Sequence, residues 1–178
     1  MLASCSSDVI EPPPLFGPSP PGFSPPGFFT DIDVKKNGFP FVASAWAYHY
    51  LDTLDSSSML MIEFQTFTEE GFRRELCTVY HLPVRIGVYY VNDPNPNFLP
   101  VASYGTLGSD GDVVEDFYEL DVSSSSWIVI THADTMDNRV TGTFDLSFVI
   151  KTDREKVNHR NPDRVRFSEG VFDLPIQY

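Results

Sequence analysis

Apolar and polar residues alternate with a period of two through the last third of the chain. The apolar positions of the clearest run are Val140, Gly142, Phe144, Leu146, Phe148 and Ile150. Successive side chains of a β-strand point to opposite faces of a sheet, so this period is typical of a strand with one buried face. The run therefore predicts a strand that lines a hydrophobic core.

The alternation changes phase once near the end of the chain. Residues 164–168 are apolar at odd positions, whereas residues 171–177 are apolar at even positions. One extra residue in a strand reverses which side chains face the core. We therefore predict a one-residue β-bulge at Gly170.

Similar period-two runs, separated by turn-forming residues, recur from Phe28 onwards. Asn37-Gly38 predicts a type I′ hairpin turn, Pro40 an edge position, and Pro83 a break between two runs. A charged loop is expected over residues 152–162. No window of helical length has a 3.6-residue period, so the pattern predicts one antiparallel all-β domain over residues 28–178. We expect a β-sandwich or barrel-like fold of about eight to ten strands.

The first five residues, with Leu2-Ala3-Ser4-Cys5, have the form of a bacterial lipobox. In such a box Cys5 is lipidated and becomes the mature N-terminus, so this feature predicts a protein anchored to a membrane by lipid. Met1 directly precedes the box, without a charged region and an apolar run before it. Either a signal peptide has been removed, or the match arose by chance.

Residues 6–27 are rich in proline and glycine and contain the near-repeats Pro20-Pro21-Gly22-Phe23 and Pro25-Pro26-Gly27-Phe28. Proline lacks a backbone donor and has a fixed φ, so the segment predicts an extended, semi-rigid tether. A ligand for a proline-recognition domain is a weaker alternative. Phe16, Phe23 and Phe28 are candidates for packing on the domain.

The formal net charge of −13 restricts the partners of the protein. Binding to nucleic acid needs a basic surface, and electrostatic docking on an anionic membrane needs one as well. We therefore expect no nucleic-acid partner, and we interpret the acidic balance as a source of solubility.

The order of these motifs resembles a family of Bacteroidota envelope lipoproteins known as domain of unknown function 6252. The matching features are the lipobox, the low-complexity spacer, the hairpin at residues 37–41, and Ile86-Gly87-Val88-Tyr89. Two further matches are Val140-Thr141-Gly142-Thr143-Phe144 and Glu169-Gly170-Val171-Phe172-Asp173. The resemblance implies an envelope lipoprotein with a β-rich domain, and it supplies no enzyme activity and no binding residues to carry over.

An acidic run is the best metal candidate in the sequence. Its members are Asp110, Asp112, Glu115, Asp116, Glu119 and Asp121. Calcium needs several oxygen ligands that converge on one point, but the run lacks the spacing of an EF-hand loop. We expect a solvated face instead, and we assign no metal ligands and no cofactor other than the lipid on Cys5.

No residue pattern predicts a catalytic site. The four histidines are scattered, and the four serines at 123–126 have no nucleophile-elbow context. Cys77 lies in an apolar alternating stretch, so we expect a buried structural thiol rather than a nucleophile. A hydrolase is therefore the least favoured function.

Half of the twelve basic residues crowd the predicted charged loop and its flank. They are Lys151, Arg154, Lys156, Arg160, Arg164 and Arg166. The group is a possible docking patch for an acidic partner or a phosphate of lipopolysaccharide. Acidic residues interleave with it, so a mixed, solvated hairpin is the simpler interpretation.

Several aromatic residues offer a second possible surface. Six of them could line a glycan-binding platform or a barrel mouth: Trp46, Tyr48, Tyr50, Tyr89, Tyr90 and Trp127. Most occupy alternating positions that are typical of a core, so we expect them to pack inside.

These features together predict a lipid-anchored protein of the bacterial outer membrane, either periplasmic or surface-exposed. Its expected role is a non-enzymatic binding or accessory subunit of an outer-membrane protein complex. A β-barrel lipoprotein that binds a small ligand or a glycan is the alternative.

Overall fold

The computed structural model of the protein describes residues 29–52, 56–91 and 100–178. Ten strands form in these ranges, all in one sheet: β1 (Thr30–Lys36), β2 (Phe39–Leu51), β3 (Ser58–Phe67), β4 (Arg73–Pro83), β5 (Gly87–Tyr90), β6 (Val101–Leu107), β7 (Val114–Leu120), β8 (Trp127–Asp134), β9 (Arg139–Ile150) and β10 (Arg164–Gln177). The predicted all-β fold is confirmed. Among these residues, no helix has the length and apolar character that crossing a bilayer requires.

Hydrogen-bonded pairing closes the sheet into a barrel-like ring. The pairings run from β1 through β2, β3, β4, β6, β7, β9 and β10 and return to β1. All of them are antiparallel, and a short parallel pairing of Ile176 with Ala47 and of Gln177 with Tyr48 joins β10 to β2. β8 pairs with the first half of β9, and β5 extends the sheet from β8.

The hairpin between β1 and β2 has the predicted turn. Asn37 and Gly38 have φ angles of 52° and 84°, as a type I′ turn requires. Pro40 pairs with Lys35, and among the described residues no strand pairs with β2 on its opposite edge there. The predicted edge position of Pro40 is therefore confirmed.

The predicted bulge in β10 is also confirmed. The register with β9 shifts by one residue between Phe167 and Gly170, and Glu169 has a φ of 55°. A Cβ atom at position 170 would lie 2.3 Å from the ring of Phe144. Glycine is therefore needed here because a core ring occupies the space of a side chain.

Large aromatic side chains fill the interior of the barrel-like ring, and they face small residues on the opposite strands. On β2, the inward positions are Ala43, Ala45 and Ala47, all almost fully buried. Phe64 of β3 stacks on Phe144 of β9, with 4.6 Å between ring centroids. The alanines leave room for these rings, as close packing of an interior requires.

One buried ion pair lies inside the ring. Lys36 Nζ lies 2.6 Å from Glu75 Oε1 and donates a hydrogen bond of 3.0 Å to the hydroxyl of Tyr104. Both charged side chains are only 15% exposed. Burial and the nearby Glu75 carboxylate raise the pKa of Tyr104, so its hydroxyl stays protonated and available for hydrogen bonding.

The predicted break between two strands at Pro83 is confirmed, because β4 ends at Pro83 and β5 begins at Gly87. The period-two alternation continues over residues 84–90, but its apolar positions do not all face the core. Ile86 is 64% exposed and Val88 is 56% exposed. Within the described ranges β5 pairs only with β8, and its four residues leave one face without a covering layer.

Candidate binding surface

The predicted lipidation site, Cys5, lies outside the described residues, as does the Pro-rich segment 6–27. The lipid anchor and the tether therefore stay predictions. The described part of the chain begins at Phe29, one residue before β1.

The basic residues of the predicted docking patch lie on the loop between β9 and β10 and on the start of β10. Four of the six pair with carboxylates of the same domain: Lys151 with Asp153, Lys156 with Asp163, Arg164 with Asp121, and Arg166 with Asp145. Arg154 stacks over the ring of Phe117 at 5.7 Å. Arg160 has no ion-pair partner in the described part of the chain. The docking role stays a prediction, but these pairs neutralise most of the positive charge of the patch.

Two members of the acidic run contradict the expected solvated face. Asp116 is fully buried and Asp121 is only 6% exposed. The carboxylate of Asp116 accepts hydrogen bonds from the backbone amides of Val157 and Asn158, at 2.8 and 3.3 Å, and from the side-chain amide of Asn161 at 2.7 Å. Asp116 therefore anchors the β9–β10 loop, because its buried charge needs these donors.

Asp121 organises the turn that follows β7. It accepts hydrogen bonds from the backbone amide and the hydroxyl of Ser123, at 3.0 and 2.5 Å, and pairs with Arg164. The hydroxyl of Ser123 is the main reason that the pKa of Asp121 is lowered, and Arg164 adds to the effect. The carboxylate thus has a structural role that alternation alone does not reveal.

The prediction that most of the six aromatic residues pack inside is wrong, although the partly buried Tyr89 packs against the core. None of Trp46, Tyr48, Tyr50, Tyr89, Tyr90 and Trp127 belongs to the buried core. Tyr48 is 36% exposed and Tyr90 is 57% exposed. On β2 the aromatic residues point outwards because the alanines between them occupy the inward positions.

Tyr48 belongs to a set of apolar side chains that crosses four neighbouring strands on the outer wall. Tyr48 of β2 pairs with Met61 of β3, and Tyr80 of β4 pairs with Val101 of β6. Met61 lies opposite Tyr80 and His81, where the register between β3 and β4 shifts by one residue. We call these four residues the apolar row. Tyr80 is 39% exposed and Val101 is 53% exposed, and the row contains no charged side chain.

A second group of rings continues the apolar row on β2 and β3. The ring of Trp46 lies 6.1 Å from that of Tyr48, and Phe29 lies 6.2 Å from both Trp46 and Phe67. Burial raises the pKa of Glu63, which lies on the same wall, although hydrogen bonding to Trp46 and the charge of Arg73 oppose the shift. This wall is therefore more apolar than its outward position suggests.

Three of the four histidines lie at one end of the ring, which the sequence did not indicate. His49, His81 and His132 are close to the carboxyl ends of β2, β4 and β8, and the pairing directions bring these ends together. His81 Nδ1 is 2.9 Å from the Tyr50 hydroxyl and 3.8 Å from Asp52. Such proximity depends on strands far apart in sequence, so no local spacing could have predicted it.

The arrangement at this end does not form a catalytic triad within the described ranges. His49 Nε2 is 2.6 Å from the hydroxyl of Ser58, but no carboxylate among these residues hydrogen-bonds to His49. A serine nucleophile needs a base that is itself held by a third group. Cys77 is buried as predicted, and burial raises the pKa of its thiol, which makes it a poor nucleophile.

His132, Asp134 and Asp137 can each present one metal-ligating atom, with all three atoms within 4.8 Å of one another. Local hydrogen bonds account for this cluster. His132 Nε2 lies 3.1 Å from Asp137 Oδ2, and Asp134 Oδ1 accepts a 2.7 Å bond from the amide of Met136. These contacts stabilise the β8–β9 turn, so we assign no metal to the cluster.

No protein-family model, curated protein or solved structure matches the chain. The resemblance to the envelope lipoprotein family therefore stays a prediction. Any functional assignment depends on the surfaces described above.

Proposed function

We propose that the protein is a lipid-anchored, non-enzymatic subunit of a protein complex in the bacterial outer membrane, and that it binds a partner protein of that complex. The apolar row carries this proposal. Tyrosine is enriched at protein interfaces because its ring combines a large contact area with a polar tip. In Tyr48 and Tyr80 two such rings lie on a rigid sheet, which limits the entropy lost on binding.

The tight packing of the interior favours the outer surface as the place where a partner binds. The inner wall is occupied by rings such as Phe64, Phe144 and Tyr104, which are almost fully buried. The cavity that lies between Glu75, Thr66 and Phe167 has a volume of about 10 Å³, which is room for one water molecule. A ligand of ordinary size needs a cavity of roughly 300 Å³ or more, so binding on the outer wall is favoured.

The docking role is testable by photo-crosslinking in cells that produce the chain with its native upstream sequence. Benzoylphenylalanine replaces Tyr80 in one variant and Val171 in a control. Val171 is 59% exposed and lies on β10, away from the apolar row. We expect one crosslinked product of defined mass from position 80 and none from position 171. Further variants carry benzoylphenylalanine at positions 48 and 101 of the apolar row. Equal products from positions 80 and 171, or no product from positions 48, 80 and 101, would contradict the proposal.

The membrane anchor is tested separately. Cys5→Ser should release the protein from the membrane fraction, while Ser6→Ala should leave it bound. Labelled palmitate should be incorporated into the parent chain and into the Ser6→Ala variant only. If the parent chain incorporates no palmitate, the lipoprotein assignment is wrong.

A carbohydrate ligand is the second candidate. It is favoured by the exposed tyrosine rings of the apolar row, because a sugar ring can pack flat on an aromatic face while its hydroxyls bond to the phenol. Titration calorimetry with envelope oligosaccharides should give a saturable heat that Tyr80→Ser abolishes and Val171→Ser leaves intact. Absence of heat with the parent chain removes this candidate.

A further inference from the structure

The buried ion pair inside the ring uses only one oxygen of its carboxylate. Oε1 of Glu75 lies 2.6 Å from Lys36 Nζ, whereas Oε2 is buried and has no hydrogen-bond partner among the described residues. Burial raises the pKa of Tyr104 and the neighbouring Glu75 carboxylate adds to the shift, yet the Tyr104 hydroxyl does not complete the hydrogen bonding of Oε2. A buried carboxylate oxygen without a donor is costly, so Oε2 needs one more donor.

A second buried oxygen without a partner lies on the neighbouring strand. Thr66 is 5% exposed, and its hydroxyl has no hydrogen-bond partner in the described part of the chain. Thr66 of β3 pairs directly with Glu75 of β4. The side chains of such a pair leave the sheet on the same side, with Cβ atoms about 4.5–5.5 Å apart. The two oxygens therefore face the same part of the interior.

Both side chains line the small cavity inside the ring. Its volume is about 10 Å³, and Cys77 and Tyr104 also form part of its wall. Aromatic side chains such as Phe167 close much of the rest. A polar cavity of this size holds one water molecule, and larger ligands do not fit.

The charges around the cavity exclude an ion as its occupant. The ammonium of Lys36 is enclosed by aromatic rings, with Nζ 5.2 Å from the ring centroid of Phe41 and 6.0 Å from that of Phe167. This fixed positive charge repels a cation, and the Glu75 carboxylate repels an anion. Calcium and magnesium also need six or more oxygen ligands, more than Glu75 and Thr66 can supply. The occupant must therefore be small, neutral and able to donate a hydrogen bond.

We propose that one water molecule binds in this cavity and bridges Glu75 Oε2 and the hydroxyl of Thr66. Water donates one hydrogen bond to Oε2, which can only accept. The Thr66 hydroxyl either donates to the water oxygen or accepts its second proton. One molecule thus satisfies both buried oxygens, which is the usual role of internal water in a folded domain.

This water completes a polar network that joins four strands. Lys36 lies on β1, Thr66 on β3, Glu75 on β4 and Tyr104 on β6. The register between β3 and β4 shifts directly after the pair of Thr66 with Glu75. A fully hydrogen-bonded buried network favours one arrangement of its members. The bridge therefore holds β3 and β4 in register at the residue where their ladder becomes irregular.

A high-resolution crystal structure of the full chain with Cys5→Ser tests the site directly. We expect one isolated density peak at hydrogen-bond distance, about 2.7–3.0 Å, from both Glu75 Oε2 and Thr66 Oγ1. Absence of this peak would overturn the proposal. Crystals soaked in rubidium chloride should give no anomalous signal at the site, and a signal there would identify a cation and overturn the proposal as well.

Oxygen-17 relaxation dispersion measures the same water in solution, because it counts water molecules that are held for long times inside a protein. Thr66→Val removes the hydroxyl with little change of shape, and it should lower the dispersion amplitude by the contribution of one water molecule. Thr66→Ser keeps the hydroxyl and should retain that contribution. Thr143→Val, at a partly exposed position of β9, is the matched control and should change nothing.

The outcome is read only for variants whose circular dichroism matches that of the parent chain. Equal amplitudes for the parent chain and Thr66→Val, or an equal loss in Thr143→Val, would overturn the bridge. If Thr66→Val does not fold, the crystal structure of the parent chain decides. Neither measurement involves a partner protein, so this proposal and the proposed function can fail independently.

Discussion

The two faces of β2 differ in a way that reverses the usual relation between residue size and burial. Ala43, Ala45 and Ala47 point inwards and are at most 4% exposed. Trp46 and Tyr48, the larger residues, point outwards and remain accessible to solvent. Side-chain size therefore does not decide which face of a strand enters the core when both faces are apolar.

The reason lies in the opposite walls of the ring. Phe144 of β9, Phe64 of β3 and Phe172 of β10 extend into one shared interior. A closed or nearly closed sheet has a fixed interior volume, so large side chains on some strands require small ones on others. β2 supplies the small ones and uses its large residues on the outer wall.

The largest effect should come from removing a ring on the inner side. Phe144→Ala should lower the free energy of unfolding by about 3–5 kcal/mol, because it leaves a cavity among Phe64, Phe172 and Gly170. Urea denaturation at neutral pH measures this. Phe72→Ala, at a residue that is 46% exposed, is the control and should cost far less. Equal costs would mean that the interior packing is not as described.

The next effect should come from adding volume on the inner face of β2. Ala45→Leu should destabilise the fold by about 1–3 kcal/mol, since the surrounding rings leave no space for a larger side chain. Tyr48→Leu, three residues away on the outer face, is the matched control. A stable Ala45→Leu variant would show that the small residues of β2 are not required by packing.

A smaller effect, dependent on pH, should come from Asp121. Its hydrogen bonds hold the folded-state pKa below the ordinary value of 3.8, so the ionised carboxylate stabilises the fold above that pH. This contribution is lost as the pH falls through the lowered pKa. Asp121→Asn should therefore reduce stability at neutral pH and flatten its decline below about pH 4.

Thermal unfolding across pH 2–7 measures the contribution of Asp121. Asp153→Asn removes a carboxylate that is 62% exposed in its pair with Lys151, and it should change stability little. An acid profile for Asp121→Asn identical to that of the parent chain would contradict the structural role of the Asp121 turn.

The smallest effect on stability should come from the outer face. Tyr80→Ser removes an exposed side chain of the apolar row and should change the free energy of unfolding by no more than about 0.5 kcal/mol. Thermal melting checks this value. A large loss of stability would mean that the row is part of the core.

Features that depend on neighbouring residues were predictable. The Asn37-Gly38 turn follows from the positive φ that both residues tolerate, and the bulge at Gly170 follows from a change of phase within one strand. The break after Pro83 has a similar local origin. Alternation over a dozen residues is enough to predict a strand, because the period is a property of the backbone.

Features that depend on distant strands were not predictable. Asp116 appears in the sequence as one of six acidic residues, and only the β9–β10 loop, some forty residues later, supplies the amides that bury its charge. His49, His81 and His132 lie at the same end of the ring because β2, β4 and β8 run in the same direction. Neither relation leaves a spacing that a reader of the sequence could recognise.

The sequence by itself determined that the chain forms strands, where several of them turn, and where one of them bulges, because backbone conformation responds to adjacent residues. The tertiary structure alone decided which face of β2 is inside, which carboxylates are buried, and that four apolar side chains align across β2, β3, β4 and β6. Those outcomes depend on how much interior space the other strands leave, and on strand register, neither of which is a property of any single segment.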